Sequence, residues 1–211
     1  MLIELISYTP DPDALCAQAA AICTGAKDKE KALRAAMESG HYSVLEHVSF
    51  TFKVDLLSRV ALAQDTRHRL ASFSVKGQRY CDAEDEYVIP STILDSEFYE
   101  DFIGAYSLCR DLYLRMAKGG IPREDARYIL PQAVATSFYM TMNARELLHF
   151  FELRCCNRAQ WEIRQLADQM LSLCKEAAPF IFEKAGPPCV TGQCREVRPC
   201  ENPRGADEWG R

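Results

Sequence analysis

Two stretches of the chain alternate between apolar and polar side chains, and they constrain the fold more than any other feature. Residues 48–54 carry Val or Phe at every second position, separated by Ser, Thr and Lys, and residues 133–142 show a similar alternation. Because successive side chains of a strand point to opposite faces, this pattern predicts strands with one buried face. Residues 2–8 alternate in the same way and form a further predicted strand.

Apolar residues recur at helical spacing through most of the remaining chain. This periodicity predicts helices over residues 13–23, 27–39, 57–66 and 97–118. The aromatic stripe of residues 97–118 predicts a helix that packs in the core. Pro122 is typical of a first helical position, and Asn143 is a suitable N-cap for another helix. The last predicted helix begins at Ala159 and is ended by Gly186.

The chain has 211 residues, of which 48% are hydrophobic and 26% are charged, with a formal net charge of −5. This length and composition suit one soluble globular domain with its own core. Binding to nucleic acid polymers is not expected, because it requires an extended basic surface. No apolar run approaches the roughly 20 residues of a membrane span, and the N-terminus carries no secretory signal. We therefore expect a cytoplasmic protein that does not contact membranes.

The chain contains 10 cysteines, and none of them forms a C-x-x-C pair. Most lie in apolar helical patterns, which predicts reduced thiols that pack as small hydrophobic side chains. Residues 1–186 are predicted to form a single domain, and residues 187–211 an extended tail. Cys189, Cys194 and Cys200 lie in this tail. Three thiols without a nearby histidine are a weak zinc signal, so no bound metal is expected.

Residues 67–80 concentrate basic and hydroxyl side chains and contain no carboxylate. Arg67, Arg69 and Arg79 can each present a planar set of N–H donors to a phosphate or a carbonyl group. The carboxylates that flank the stretch are Asp65, Asp82, Glu84, Asp85 and Glu86. A solvated basic turn is the simpler alternative. A basic pocket between acidic segments instead favours a small anionic ligand.

The same stretch resembles the signature of the flavin-dependent thymidylate synthases, Arg-His-Arg-x-x-Ser-x-Asn-x-x-Ser-x-Arg-Tyr. The matching residues are Arg67, His68, Arg69, Ser72, Arg79 and Tyr80. Residues 40–47, 122–131 and 143–163 resemble further segments of the same family in the same order. Agreement of separated segments is stronger than any single motif.

This resemblance implies an α/β subunit of the α+β type, in which helices flank an antiparallel sheet. It implies a homotetramer with active sites between subunits, and FAD as the cofactor. The implied enzyme is a methyltransferase that converts dUMP to dTMP by reductive methylation. In that reaction 5,10-methylenetetrahydrofolate donates the carbon, NADPH reduces the flavin, and the reduced flavin delivers the hydride.

The resemblance also implies which residues contact the flavin. They are His41, Ser43, Glu46, Arg67, His68, Arg69, Asn143, Arg145 and His149. The first three would reach the flavin of a neighbouring subunit. Taken alone, His41, Glu46 and His47 also suggest a metal site, although local hydrogen bonding at a turn accounts better for their spacing. His149, taken alone, is equally compatible with a buried histidine of the core.

A second set of residues is implied to bind dUMP. It comprises Gln64, Arg67, Gly77, Gln78, Arg79, Arg127 and Arg154. Arg79 and Arg127 are expected at the phosphate, and Arg154 is the expected catalytic residue that stabilises charge on the uracil ring. Gln64 precedes Arg67 by three residues, so both are expected on one helix face. Without the resemblance, Gln64 is an exposed polar residue and Arg127 a surface partner of Glu124.

Three positions depart from the signature. Ser74 replaces the usual Asn, Val75 stands where an acidic or amide residue is common, and Gly77 replaces the second serine. The departures at Val75 and Gly77 favour an alternative, in which the chain is an FAD-binding or nucleotide-binding relative that has lost synthase activity. A purely structural helical protein is a third interpretation, and it leaves the arginine positions unexplained.

Overall fold

The computed structural model describes residues 1–81, 86–192, 194, 196–205 and 208. Its strands are β1 Leu2–Tyr8, β2 Ser49–Ser58, β3 Ala71–Val75 and β4 Ala135–Asn143. Its helices are α1 Pro12–Thr24, α2 Lys29–Glu38, α3 Arg59–Asp65, α4 Ser91–Leu94, α5 Tyr99–Lys118, α6 Arg123–Ala126, α7 Ala144–Arg154 and α8 Trp161–Ala177. Short 3-10 helices span Tyr42–His47, Arg127–Ile129 and Pro188–Thr191. Asp82, Glu84 and Asp85, part of the predicted acidic flank, lie outside the described residues.

The strands form one antiparallel sheet in the order β1-β2-β4-β3. The alternation in β2 has the predicted result, because Phe50, Phe52 and Val54 are fully buried. In β4, Phe138 and Met140 are buried in the same way. The predicted fold class, helices around an antiparallel sheet, is confirmed.

The main core lies between the sheet and the helices α1, α2, α7 and α8. The buried stripe of α8 is the predicted one, with Ile163, Leu166, Met170, Leu171 and Cys174. Burying each large apolar side chain stabilises the fold by about 1.5–3 kcal/mol relative to leaving it exposed. This packing fixes α7 and α8, which carry residues of the site.

An irregularity in β2 directs the chain into α3. The β2–β4 register shifts within residues 54–57, and Leu56 has a φ of 61°. This left-handed conformation costs a leucine about 1–2 kcal/mol, and such bulges bend the strand that contains them. The turn is held by Glu162 of α8, whose carboxylate accepts hydrogen bonds from the Ser58 backbone N–H at 2.7 Å and from the Ser58 hydroxyl at 2.5 Å.

The predicted helix over residues 57–66 is wrong at its start, because β2 continues through Ser58. The helix ends at Asp65, so Arg67 lies beyond it. The expectation that Gln64 and Arg67 share a helix face is therefore wrong. They are joined instead by a turn, in which the Arg67 backbone N–H donates to the Gln64 carbonyl at 3.4 Å.

Helix α5 is not the core helix that its aromatic stripe predicts. Its only buried side chains are those of Tyr106 and Tyr113. Phe98, just before the helix, is 62% exposed, and Leu108 is 73% exposed. The reason is that α5 packs on the short helices α4 and α6 and on the second 3-10 helix, outside the main core.

Two other helices are shorter than predicted. The helix after Pro122 ends at Ala126 and continues as a 3-10 turn. Helix α8 ends at Ala177, before Gly186. The chain that follows α8 returns to α1, where the Asp13 carboxylate accepts hydrogen bonds from the backbone N–H groups of residues 180 and 181, at 2.9 and 3.1 Å.

The described part of the tail docks on the domain. Arg204 Nη1 donates to the Asp168 carboxylate of α8 at 2.7 and 2.9 Å. All 10 cysteines are unpaired. The buried ones are Cys16, Cys155 and Cys174, and burial raises the pKa of each thiol. The prediction of small buried thiols thus applies to these, while the others are partly or fully exposed. In the described chain no helix is both long and apolar enough to cross a membrane.

Candidate active site

Four polar side chains lie in sequence between α3 and α7, and we call them the His68 chain: Glu146, His68, Arg154 and Asp65. Arg154 is partly buried and the other three are buried. His68 is 5% exposed, and its Nδ1 lies 3.0 Å from Glu146 Oε1. Arg154 Nε donates to His68 Nε2 at 3.1 Å. Because a guanidinium N–H only donates, Nε2 must accept and the ring proton must lie on Nδ1, facing the carboxylate.

Electrostatics favour the neutral form of the His68 ring. Burial lowers the pKa of the imidazole below its usual value of 6.5, and the positive charge of Arg154 lowers it further. The hydrogen bond to Glu146 opposes these effects. The geometry therefore holds His68 as a neutral ring that orients Arg154.

Arg154 is the last residue of α7, and two of its nitrogens have partners. Besides the contact with His68, Nη2 donates to the Gln64 backbone carbonyl at 3.2 Å. Burial lowers the pKa of the guanidinium and the charge of Asp65 raises it. Two contacts on a planar group fix its orientation, which suits a residue that must meet a substrate atom.

Asp65 closes the chain at its other end and was not predicted. Its side chain is fully buried, and neither carboxylate oxygen has a hydrogen-bond partner in the described structure. Burial raises the pKa of this carboxyl to about 7, although the charge of Arg154 opposes the shift. The only sequence signal was a carboxylate within the apolar pattern of residues 57–66.

The signature residues separate into buried and exposed positions. His68 points inward, whereas Arg67 and Arg69 are exposed. The signature also contains strand β3, which was not predicted, with Ser72 and Ser74 on its exposed face.

A cavity of about 600 Å³ lies beside α7. Its lining includes Arg34, Tyr42, Arg145, His149 and Phe180. His149 is exposed, so the alternative of a buried core histidine is wrong. Arg34, which was not predicted, lies over the Phe180 ring with 4.7 Å between the guanidinium carbon and the ring centroid. The carboxylates of Glu38, Glu146, Glu152 and Glu183 line the cavity as well. The aromatic side chains suit an aromatic cofactor, and Arg34 and Arg145 are groups that can meet its phosphates.

Among the other predicted flavin contacts, Arg145 lines this cavity, and Glu46, Asn143, His41 and Ser43 do not. Glu46 binds Arg145, with 2.5 Å between Oε1 and Nη1, so these two are brought together. Asn143 Oδ1 accepts from the Glu146 backbone N–H at 2.8 Å, which confirms the predicted N-cap. His41 and Ser43 are exposed at the first 3-10 helix.

A second cavity, of about 330 Å³, contains residues predicted for the phosphate; we call it the Arg59 cavity. Its polar lining includes Arg59, Gln78, Arg127 and Gln132. Arg59 was not predicted, because one arginine after a strand carries no special signal. Its side chain is half-buried, and burial together with the positive charge of Arg127 lowers its pKa.

Glu124 holds the two arginines that were predicted at the phosphate. Its carboxylate accepts from Arg79 Nε at 2.7 Å. Its backbone carbonyl accepts from Arg127 Nε at 3.1 Å. The alternative pairing of Arg127 with Glu124 thus exists, but through the backbone, while the carboxylate pairs with Arg79.

The tail cysteines line a third cavity, of about 410 Å³, together with Cys156. Within the parts of the chain that the structure describes, no group of three His, Cys, Asp or Glu side chains lies close enough to hold a metal ion.

Comparisons with known proteins show the family to which the chain is similar. Residues 4–180 match the model of the family described as thymidylate synthase complementing protein. The chain is 46% identical to a flavin-dependent thymidylate synthase of Geobacter sulfurreducens over 212 residues, which cover 93% of this chain and 91% of the relative. It is 41% identical to the corresponding protein of Nitratidesulfovibrio vulgaris over 222 residues, which cover 92% of this chain and 91% of the relative.

A solved structure is similar as well. It is the UMP/dUMP methylase PolB from Streptomyces cacaoi, bound with 5-Br dUMP. The TM-score is 0.75 at 27% sequence identity, and the match covers 86% of this chain and 93% of that one.

Proposed function

This chain belongs to the family of flavin-dependent thymidylate synthases, and on that premise we propose that it converts dUMP to dTMP by reductive methylation. The proposal includes FAD as cofactor, 5,10-methylenetetrahydrofolate as carbon donor and NADPH as reductant. The observation that carries it is the His68 chain, because it presents an oriented guanidinium from the position that matches the family's arginine.

Arg154 is proposed to stabilise the charge that develops on the uracil ring when C5 is activated. A guanidinium offers parallel N–H donors to a carbonyl edge, and a fixed donor needs little reorganisation during the reaction. His68 and the Gln64 carbonyl hold Nε and Nη2. Nη1 has no partner among the described residues, so it is the nitrogen we assign to substrate.

Arg79 and Arg127 are proposed to bind the phosphate of dUMP, with Gln64, Gly77, Gln78 and Arg67 as further substrate contacts. The Arg127 and Gln78 side chains already line one cavity. Arg79 is exposed and forms an ion pair with Glu124. Because water screens such a surface pair, little free energy is lost when Arg79 leaves Glu124 to contact a phosphate.

The cavity beside α7 is proposed to hold part of the flavin. Arg145, His149 and Arg34 supply cationic or polar groups there, and Tyr42 and Phe180 supply aromatic surface. When bound and reduced, a flavin supplies the hydride that this reaction requires. Arg67, His68 and Arg69 do not line this cavity in the described residues of one subunit.

A homotetramer with shared sites supplies the remaining contacts in this proposal. His41 and Ser43 are exposed on the first 3-10 helix, and Arg67 and Arg69 are exposed beside the signature. Exposed positions of this kind are available to a flavin in a neighbouring subunit. A cytoplasmic location is proposed with it, because the substrates are soluble metabolites.

One observation supports the alternative of a relative without synthase activity. Gly77 lies where the signature has serine, and among the described residues a Cβ there would meet only Tyr80 Cδ2, at 3.8 Å. The backbone therefore does not require glycine, and the lost hydroxyl is not explained by lack of space.

The test is a titration of the purified protein with FAD, followed by assays with C5-tritiated dUMP, NADPH and the folate. We expect a yellow oligomer with one FAD per chain, tritium release and dTMP. A colourless monomer that takes up no FAD would refute the proposal. An FAD-containing oligomer that forms no dTMP would favour the alternative.

A further inference from the structure

The described lining of the Arg59 cavity carries positive charge and no carboxylate. Two of its lining residues are arginines, Arg59 and Arg127, and none of its described lining residues is a carboxylate. Arg59 Nε is buried without a hydrogen-bond partner. No carboxylate pairs with the Arg59 guanidinium in the described chain, and Nη2 donates to the Lys76 carbonyl at 3.1 Å.

Such an arrangement is costly in the absence of a ligand. Burying a cation without a counter-charge, or an N–H without an acceptor, lowers the stability of the fold. The positive charge of Arg127 nearby adds repulsion and lowers the pKa of Arg59. An anion in the cavity would satisfy both guanidinium groups, and the amides of Gln78 and Gln132 offer further donors.

Among the described residues, the one hydrogen bond of the Arg59 side chain connects it to the altered part of the signature. The Lys76 carbonyl that it binds directly precedes Gly77. Gly77 begins a turn, because its carbonyl accepts from the backbone N–H groups of Tyr80 and Cys81 at 3.1 and 3.0 Å. Arg59 therefore anchors the turn that positions Gln78 in the cavity.

We propose that Arg59 binds the phosphate group of the nucleotide substrate and anchors the Gly77 turn around it. In this chain Arg59 supplies a charged donor close to the place where the signature hydroxyl is missing. The inference rests on the proposed function, since the anion is the phosphate monoester of dUMP. The assignment adds a binding residue that the signature does not contain.

The experiment compares the binding of dUMP and of deoxyuridine, which lacks the phosphate, by calorimetry on the flavin-loaded protein. A lost charge-assisted contact predicts that Arg59→Gln binds dUMP roughly 10- to 150-fold more weakly. Deoxyuridine binding should change little. Arg59→Lys keeps the charge but not the planar donors, and should fall between the native protein and Arg59→Gln. Arg115→Gln, which removes an exposed arginine of α5, is the matched control.

Equal loss of dUMP and deoxyuridine binding would assign Arg59 to the fold alone and overturn the proposal. If Arg59→Gln does not fold, the same comparison with Arg59→Lys decides. Unchanged dUMP binding in a native-like variant of an enzyme that forms dTMP would refute this inference and leave the proposed function intact. A native protein that binds no dUMP would refute both.

Discussion

The His68 chain and the Arg59 cavity each contain a residue of α3, Asp65 and Arg59 respectively. They differ in how their charged side chains are paired. In the His68 chain, the neutral ring of His68 lies between an acidic and a cationic group, and Glu146, His68 and Arg154 are joined by direct hydrogen bonds. In the Arg59 cavity two guanidinium groups share the lining, and no described lining residue is a carboxylate. In the proposed function, the first arrangement orients Arg154 before substrate arrives, and the second would be stabilised by an anion from outside.

The largest effect is expected when the oriented guanidinium of Arg154 is removed. Arg154→Ala should lower dTMP formation by roughly 100-fold or more while FAD remains bound, because a preorganised donor at a developing charge is lost. Arg154→Lys should restore little, since a point charge does not reproduce the planar donors. Steady-state dTMP formation and flavin absorbance measure both effects. Arg158→Ala is the control, and near-normal turnover by Arg154→Ala would refute the assignment.

Asp65 is the member of the His68 chain whose side chain makes no hydrogen bond in the described structure, and its contribution to the free energy of unfolding depends on pH. Burial raises the pKa of this carboxyl from its ordinary value of 3.8 to about 7 in the folded protein. Between these values the folded state holds a proton that the unfolded state has released. The free energy of unfolding should therefore fall as the pH rises from about 4 to about 7, by up to about 1.4 kcal/mol per pH unit.

Asp65→Asn should remove this dependence, because an amide does not ionise. Urea unfolding of both proteins at pH 5 and pH 8 tests this. We expect the variant to gain stability relative to the native protein at pH 8. Equal pH dependence in the two proteins would show that Asp65 titrates in a better solvated environment.

The role of the Arg59 cavity can be tested further by restoring the signature hydroxyl at position 77, next to the cavity. Gly77→Ser should tighten dUMP binding by about tenfold, because a hydrogen bond to a charged group is worth about 1.5–3 kcal/mol at best. Turnover should change modestly. Steady-state kinetics of both forms across a dUMP titration provide the measurement. If the native protein binds FAD but forms no dTMP, and Gly77→Ser gains activity from nothing, the hydroxyl is essential.

The smallest expected effect concerns the helix that carries Glu146 and Arg154. Asn143→Ala removes the Oδ1 cap of α7 and should cost about 1 kcal/mol of stability. Asn143→Ser keeps a capping oxygen but lacks the amide nitrogen. Preserved stability with weakened FAD binding in Asn143→Ser would support the predicted flavin contact, and unchanged FAD binding would assign Asn143 to capping alone.

The sequence predicted the sheet well because burial on one face leaves a local, period-two pattern. Residues 48–54 and 133–142 carry that pattern, and they overlap β2 from Ser49 and β4 from Ala135. Strand β3 has the same pattern, with Ala71, Phe73 and Val75 partly buried, but its five residues are short and lie within the basic signature. The prediction that α5 packs in the core was wrong for a different reason. Helical periodicity identifies the face of a helix that packs, but it does not identify the element that covers this face.

The site was predicted where the family signature supplies residues, and missed where tertiary contacts create the chemistry. Arg154 and His68 follow from the resemblance, but their mutual contact joins residues 86 positions apart. Nothing local distinguishes Arg59 or Asp65 from ordinary surface charges. Their roles arise from burial, which depends on what α8 and the second 3-10 helix place against them.

The pairing of β2 with β4 has a consequence for how the protein folds. Thr51 and Thr141, which face each other across this ladder at 2.9 Å between their hydroxyl oxygens, are 90 positions apart. Closing such a long loop delays the contacts that depend on it, and chains dominated by non-local pairing fold slowly. The contacts of His68 with Glu146 and Arg154 join segments that this ladder brings together. During refolding, the ability to hold flavin should therefore return after helix formation, in step with the slow closure of the sheet.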